Sequence, residues 1–367
     1  MIVKAIHLED FRNYRGLYTT FDPGVNVVVG ENAQGKTNLV EAIRYFSACR
    51  SHRARTDSEL IAFDAPSARM VLELESRHRD FRLEARLRRG ARRSLASNGV
   101  KLKSAAELSG ILNTVLFCPE DLSLIKEGAA VRRRFLDDAI SQLRPRYAAA
   151  VGEYRRLQEQ KTRILKDFRE DASMVGLLDT YSLQMCTLGA QIIHYRAYYL
   201  QKLAELAPEI HADCSGGREK LTLAYRTVST VSHPLASVQT LYDQLLTHSQ
   251  RHKQAEWESR SCLSGPHKDD IEVSINGVSA RTYSSQGQTR TAALALKLAE
   301  REISFQDREE YPVLLLDDVL SELDTRRQEF VLNRIGGGQV FITCCEEEKQ
   351  GSLRAGKVLR VENGRIG

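Results

Sequence analysis

The chain has 367 residues, 42% of them apolar and 28% charged, with a formal net charge of +5. That length implies two or three domains and enough core to fold without disulfide support, and no apolar run approaches the roughly 18 residues of a membrane span. So mild a positive charge selects neither nucleic acid nor membrane as a partner, and the placement of the basic residues matters more than their sum.

The opening MIVKAIHLEDF carries acids where an export signal is apolar, and no two of the seven cysteines are spaced C-x-x-C. Scattered thiols without an export signal predict a cytoplasmic protein with neither a disulfide framework nor a zinc site. The adjacent Cys344 and Cys345 read as strand packing.

Residues 25–29 (VNVVV) predict a buried strand, and residues 38–48 a helix with Leu39, Val40, Ile43 and Phe46 on one face. Between them stands GENAQGKT, which fits G-x-x-x-x-G-K-[ST] at every fixed position. Gly30 and Gly35 let the backbone close around a phosphate, and the N–H groups of Glu31, Asn32, Ala33 and Gln34 are expected to point at its oxygens. The helix N-terminus adds positive potential. Lys36 is expected to neutralise β/γ-phosphate charge, and Thr37 to hold Mg²⁺. The loop alone leaves kinases, GTPases and ATPases open.

Residues 70–75 and 81–88 predict an antiparallel pair, the second alternating Phe81, Leu83, Ala85 and Leu87 against Arg82, Glu84, Arg86 and Arg88. Asn98-Gly99 marks a type I′ hairpin. From about 120 to 257 there is little strand pattern. One helix is centred on residues 135–143 and a second spans 147–168, stopped by Arg169-Glu170-Asp171. From Met174 to Leu206 apolar residues recur at alternating three and four positions, which predicts a near-antiparallel helix pair within a compact helical lobe. Strand pattern returns at Ile271, Val273 and Ile275, with Asn276-Gly277 as a second hairpin. Beyond it, helix (289–303), strand (313–316), helix (326–334) and strand (340–343) alternate, as in a mostly parallel sheet. The reading is an α/β lobe from residues 1–118 and 260–367, with a helical lobe, 119–259, inserted.

Basic residues cluster at 50–55, at 86–93, at Arg132-Arg133-Arg134 and along 155–166. Such clusters suit either a phosphate backbone or a solvated face. For Arg53, Arg132 to Arg134, His267 and Lys268, contact with DNA or a second subunit stands beside structural ion pairing.

Four apolar residues, 313–316, deliver Asp317 and Asp318 to the edge of a parallel sheet. Asp317 is expected to bind Mg²⁺, and Asp318 to polarise the attacking water as general base. Upstream, Ser284-Ser285-Gln286-Gly287-Gln288 opens a helix; downstream lies Ser321-Glu322-Leu323-Asp324. Phosphate loop, S-x-G-Q, ΦΦΦΦ-D-D and S-x-L-D, in that order, resemble the ATP-binding-cassette (ABC) ATPases. Ser285, Gly287 and Gln288 retain the serine, second glycine and glutamine of the signature LSGGQ.

The wider match is to the RecF family of bacterial recombination and replication-repair ATPases. LEDFRNY at 8–14, GENAQGKTNLVEAI, SHR at 51–53, FCPEDL at 117–122, RRFLD at 133–137, GPHKDD at 265–270 and SQGQTR resemble it in both lobes. The resemblance implies an ABC-type lobe of mixed sheet with an antiparallel β subdomain. It also implies slow ATP hydrolysis and an ATP-induced homodimer in which Ser285 and Gly287 close over the other subunit's nucleotide. Further implications are binding to double-stranded DNA near single/double-strand junctions, partnership with RecO and RecR in loading RecA, and no membrane. Asp324 would speak across the dimer. Arg12 would approach the adenine or ribose, beside the plainer reading of a turn arginine.

The chain departs from the wider superfamily in two places. Thr343-Cys344-Cys345-Glu346 has no switch histidine, and Asp318 stands where many relatives have glutamate. The Q-loop glutamine is not evident near 117–121. A transporter motor would instead need a groove for a membrane partner, and an SMC-like organiser a far longer coiled coil.

Overall fold

The computed structural model describes residues 1–77, 79–167, 172–320, 323–345 and 356–367, without the side chains of 172–175. Phe168, the helix stop at 169–171, the Met174 side chain, Ser321-Glu322 and Glu346 therefore lie outside the described residues. The chain divides into two compact units, residues 1–122 with 293–367, and residues 123–292. Expected seams at 118/119 and 259/260 compare with observed ones at 122/123 and 292/293.

The first unit begins with β1 (Ile2–Phe11), β2 (Tyr14–Thr20) and β3 (Val25–Val29), then α1 (Lys36–Ala48). It continues with β4 (Ser67–Ser76), β5 (Arg79–Arg88), β6 (Ser94–Ser97), β7 (Val100–Lys101) and β8 (Thr114–Phe117). β4 and β5 pair antiparallel, with Leu72 opposite Leu83. Asn98 (φ 50°) and Gly99 (φ 81°) supply the two left-handed residues of the β6–β7 turn.

The second unit contains α2 (Ser123–Lys126), α3 (Ala129–Leu143), α4 (Pro145–Asp167), α5 (Ala172–Ser215), β9 (Leu221–Arg226), α6 (Val238–Arg251) and α7 (Lys253–Ser259). Then come β10 (Asp270–Ile275), β11 (Val278–Ser279), α8 (Ala280–Tyr283) and α9 (Gln286–Arg308), whose later turns belong to the first unit. The chain closes in the first unit with β12 (Val313–Leu316), α10 (Thr325–Arg334), β13 (Val340–Cys344), β14 (Lys357–Glu362) and β15 (Arg365–Ile366).

The first unit holds two six-stranded sheets, β2-β1-β4-β5-β6-β7 and β15-β14-β3-β13-β12-β8. In the second sheet β14, β3, β13, β12 and β8 run parallel. Their buried valines and leucines, with Phe341, share one core with the inner faces of β1, β4 and β5 and with α1. Gln339 ties the sheets together: it accepts from Val3 N–H (2.7 Å) and donates to the Val3 and Asp22 carbonyls (both 2.8 Å).

One expectation needs correction. The stretch 120–257 contains a strand, β9, which pairs antiparallel with β10 in the three-stranded sheet β11-β10-β9. Leu221, Leu223 and Tyr225 alternate with the exposed Thr222, Ala224 and Arg226. The period-2 signal was present but short beside the long helical periodicity preceding it. The helix pair is present: Tyr147, near the start of α4, packs edge-on against Tyr195, midway along α5, with ring centroids 5.5 Å apart. Because α5 starts at Ala172, soon after α4 ends at Asp167, a contact between the start of α4 and the middle of α5 means that the helices run antiparallel. α5 continues past Leu206 to Ser215, and its middle turns pack through Cys186, Ala190 and Ile193 against Leu241 and Leu245 of α6.

At the centre of the second unit the buried Arg196 donates to Asp137 Oδ1 (2.8 Å), Asp269 Oδ2 (3.1 Å), the Tyr147 hydroxyl (3.1 Å) and the Pro266 carbonyl (2.7 Å). Burial opposes ionisation of Asp137, but Arg196, Tyr147 and Arg155 outweigh it and hold this carboxyl below its ordinary range. At Asp269 burial prevails, raising it to about 6 against the pull of Arg196. Removing one member of such a group leaves the others charged and dry. Arg196→Met is therefore expected to destabilise the fold by about 3–5 kcal/mol, measured by urea unfolding; a loss below about 1 kcal/mol would contradict this account.

Candidate nucleotide site and signature tip

β3 sits between β13 and β14, both parallel to it, so its carboxyl end opens at the middle of the sheet edge. A Cβ on Gly30 would lie 2.3 Å from the Val361 carbonyl oxygen, so only glycine lets the loop leave the strand beside β14. Gly35 has φ 123° and would bring a Cβ within 2.7 Å of Asn13 Nδ2. Ala33 also holds a left-handed φ, 64°. The first-turn N–H groups of α1 have no acceptor within the helix and face the loop.

Neighbouring segments fix the loop from outside. Asn13 Nδ2 donates to the Gln34 carbonyl (2.7 Å), the Tyr14 hydroxyl to the Gly35 carbonyl (2.9 Å), and Asn363 N–H to Gln34 Oε1 (2.6 Å). Lys36, 4% exposed, folds its ammonium onto the carbonyls of Gly30 (2.7 Å) and Glu31 (3.0 Å).

The acids of β12 meet this loop. Thr37 Oγ1 donates to Asp317 Oδ1 at 3.1 Å. Thr343, at the end of β13, donates to the same oxygen (2.8 Å) and accepts the N–H of Asp318 (2.8 Å), so one hydroxyl holds the Asp317 carboxylate and the Asp318 backbone. Burial raises the Asp317 carboxyl above its ordinary range, against the hydrogen bonds from Thr343 and Thr37. Asp318 is left-handed, φ 54°, which turns the chain sharply after the strand. Cys345 is exposed; its Sγ lies 3.4 Å from Lys36 Nζ, 3.0 Å from Asn32 Oδ1 and 4.0 Å from Asp318 Oδ1. A thiol thus stands where the sequence lacks a switch histidine.

Arg12 makes a two-pronged pair with the buried Glu41 of α1 (Nε 2.9 Å, Nη2 3.0 Å) and donates to the Glu59 carbonyl (3.0 Å). This anchors it in a left-handed turn (φ 53°) next to Asn13. The plainer of its two expectations describes these contacts; proximity to a base or ribose stays a proposal.

In the second unit, Ser285 and Gln288 form a reciprocal cap at the head of α9. Ser285 Oγ accepts Gln288 N–H (3.2 Å), and Gln288 Oε1 accepts Ser285 N–H (2.9 Å). Ser285 is exposed, while Gly287 is half-buried and its carbonyl accepts from the Thr291 hydroxyl. Downstream, Asp324 caps α10 by accepting Arg327 N–H (2.9 Å).

Many basic residues of the sequence clusters have internal partners. Arg132 chelates Asp270, and Arg133 donates to the Asp269 carbonyl. Arg155 binds Asp137, Arg86 binds Glu84, and Arg89 donates to the carbonyls of Ser58, Ile61, Ala62, Phe63 and Ala65. His267 lies between the Tyr154 hydroxyl (2.7 Å) and the Cys262 carbonyl (3.0 Å), and burial lowers it to about 4. Burial, reinforced by Arg44 and Arg53, lowers His52 to about 3. Neither imidazole is a cation at neutral pH. Arg53, Arg134 and Lys268 are exposed.

A phosphate loop on the central strand of a parallel sheet, acids at the end of the next strand but one and a capped S-x-G-Q helix define an ABC-type ATPase head. SMC head domains share the fold: that of Pyrococcus furiosus superposes with a TM-score of 0.56 at 17% identity, covering all of this chain and 95% of that one. The family model described as RecF/RecN/SMC N terminal domain matches residues 2–365, and the chain belongs to the RecF family. The DNA replication and repair protein RecF of Agathobacter rectalis is 38% identical, the alignment covering all of this chain and 99% of the relative. That of Synechococcus sp. is 40% identical over all of this chain and 97% of the relative. A solved structure of the recombination mediator protein RecF-ATP in the RecFOR pathway superposes with a TM-score of 0.93 at 34% identity, covering all of this chain and 97% of that chain.

Proposed function

We propose that the chain is an ATP-dependent mediator of recombinational DNA repair and replication restart, acting in the cytoplasm. The observation that carries this reading is the meeting of Lys36, Thr37, Asp317 and Asp318 at one sheet edge, in a chain matched along its whole length by RecF relatives. Residues 30–37 cradle the phosphates of ATP, and Lys36 moves from its loop carbonyls onto the β/γ-phosphates. Mg²⁺ fits the residues present: the hydroxyl of Thr37 and carboxylate of Asp317 are 3.1 Å apart, close to the ~2.9 Å edge of an octahedron with 2.0–2.1 Å bonds. Among the described residues no group of three or more His, Cys, Asp or Glu could hold a metal, so phosphate and water oxygens would complete the shell. When bound, the ion offsets phosphate charge.

Asp318, held at its backbone by Thr343, accepts the proton of the attacking water. An aspartate base without a switch histidine suits slow turnover that times an event. Ser285, Gly287 and Gln288 of a second subunit seal the site, so ATP holds a homodimer together and hydrolysis opens it. The closed dimer holds duplex DNA by its backbone near single/double-strand junctions and works with RecO and RecR to load RecA. Arg53, Arg134 and Lys268 are the exposed cations offered for that contact.

The test is ATP turnover and sedimentation with and without duplex DNA. Stimulated turnover and co-sedimentation in ATP are expected; indifference to DNA in both would refute the reading. Affinity for duplex should also fall with salt. For six to ten phosphate contacts the loss is about 10³- to 10⁵-fold between 50 and 200 mM, measured by fluorescence anisotropy; a flat response would exclude backbone contacts.

A further inference from the structure

Ser285 is carried by a short exposed turn, and its neighbours show what holds that turn. Lys126, the last residue of α2, donates its ammonium to the Ser284 carbonyl at 2.7 Å. Ser284 lies between α8 and α9. Its hydroxyl meets Thr289 Oγ1 (2.9 Å), and Thr289 Oγ1 donates in turn to the Ser285 carbonyl (2.9 Å). The α2–α3 corner that presents Lys126 is itself clamped. Arg132, 5% exposed, donates Nη1 to the carbonyls of Leu124 (3.2 Å) and Glu127 (2.8 Å), flanking Lys126 on both sides. Its other two nitrogens hold Asp270 at the start of β10 (2.6 and 2.9 Å). β10 leads through β11 and α8 back to Ser284. Lys126 and Arg132 thus close a ring with the segment 270–285, and one exposed ammonium joins the ring to the residue before Ser285.

We propose that Lys126 is a positioning residue for the signature tip. It holds Ser285 and the head of α9 in the orientation that engages the neighbouring subunit's phosphate, and Arg132 holds Lys126 in place. The inference rests on the two-subunit reading above. The bond is charge-assisted, stronger than a neutral hydrogen bond, and reaches the turn from a separate helix. Within the turn the Ser285–Gln288 cap fixes only the start of α9, not its aim.

Lys126→Met tests this, because an exposed side chain outside the phosphate loop can be replaced without unfolding the unit. ATP affinity of the dilute monomer is expected to stay within about twofold. The protein concentration needed for ATP-driven dimerisation, read by sedimentation, is expected to rise by at least about tenfold, since both tips of the dimer lose the bond that aims them. Turnover at fixed protein concentration should fall in parallel, and Lys126→Arg should restore most of both. Normal dimerisation by Lys126→Met, or an equal loss of monomer ATP affinity, would overturn the inference. Ser285→Arg run alongside separates the two claims. If Ser285→Arg is blocked but Lys126→Met is not, the positioning role fails and the two-subunit reading stands. If Ser285→Arg dimerises normally, both fail.

Discussion

Lys36→Met is expected to abolish measurable ATP binding. The ammonium is nearly buried, and its partners, the carbonyls of Gly30 and Glu31, belong to the loop that would enclose a phosphate. Methionine keeps most of the hydrophobic stem and removes the charge. A hydrogen bond to a charged group contributes about 1.5–3 kcal/mol, and Lys36 would make at least two to phosphate oxygens. Affinity should therefore fall by at least about 100-fold, as titration calorimetry would show. Loss of the two carbonyl contacts should cost little stability, since neighbouring segments hold the loop at Gln34 and Gly35. Circular dichroism melts should confirm an intact fold. Binding within a few-fold of the parent protein would remove Lys36 from the phosphate site.

Ser285→Arg is expected to leave monomer ATP binding intact and to block ATP-driven dimerisation, cutting turnover by about 100-fold or more. The residue lies in the second compact unit, outside the phosphate loop and acid pair, so an effect on nucleotide affinity would have no local cause. Arginine adds bulk and removes the hydroxyl proposed to meet the other subunit's phosphate. It also deletes a helix cap, worth about 1 kcal/mol. Ser285→Asn controls for that, because asparagine preserves an N-cap acceptor. Normal assembly of the Ser285→Arg variant would show that the tip does not enter a partner's site.

The first lobe was legible because its signals are local. Glycines at 30 and 35, the lysine and threonine after them and the apolar run before Asp317 each follow from what a phosphate loop requires, and the structure gathers them at one edge. Residues that orient this machinery were not legible. Thr343 reads as one more strand residue until β13 places it beside β12, and Gln339 joins β1 to the far end of the chain. Arg132 and His267 were ambiguous because a guanidinium or imidazole that binds phosphate and one that chelates an internal partner look alike in sequence. Only Asp270, Tyr154 and the Cys262 carbonyl resolve them. β9 was missed for a different reason: six alternating residues carry less weight than the long helical pattern before them.

The cap on α9 has a consequence for how the serine can react to charge. A hydroxyl oxygen that already accepts an N–H from Gln288 has its hydrogen turned away from that donor. Its rotor is narrowed before any anion arrives, so less orientational entropy remains to be lost on contact. The group then meets oxyanions proton-first, a polarity set by the backbone N–H three residues on.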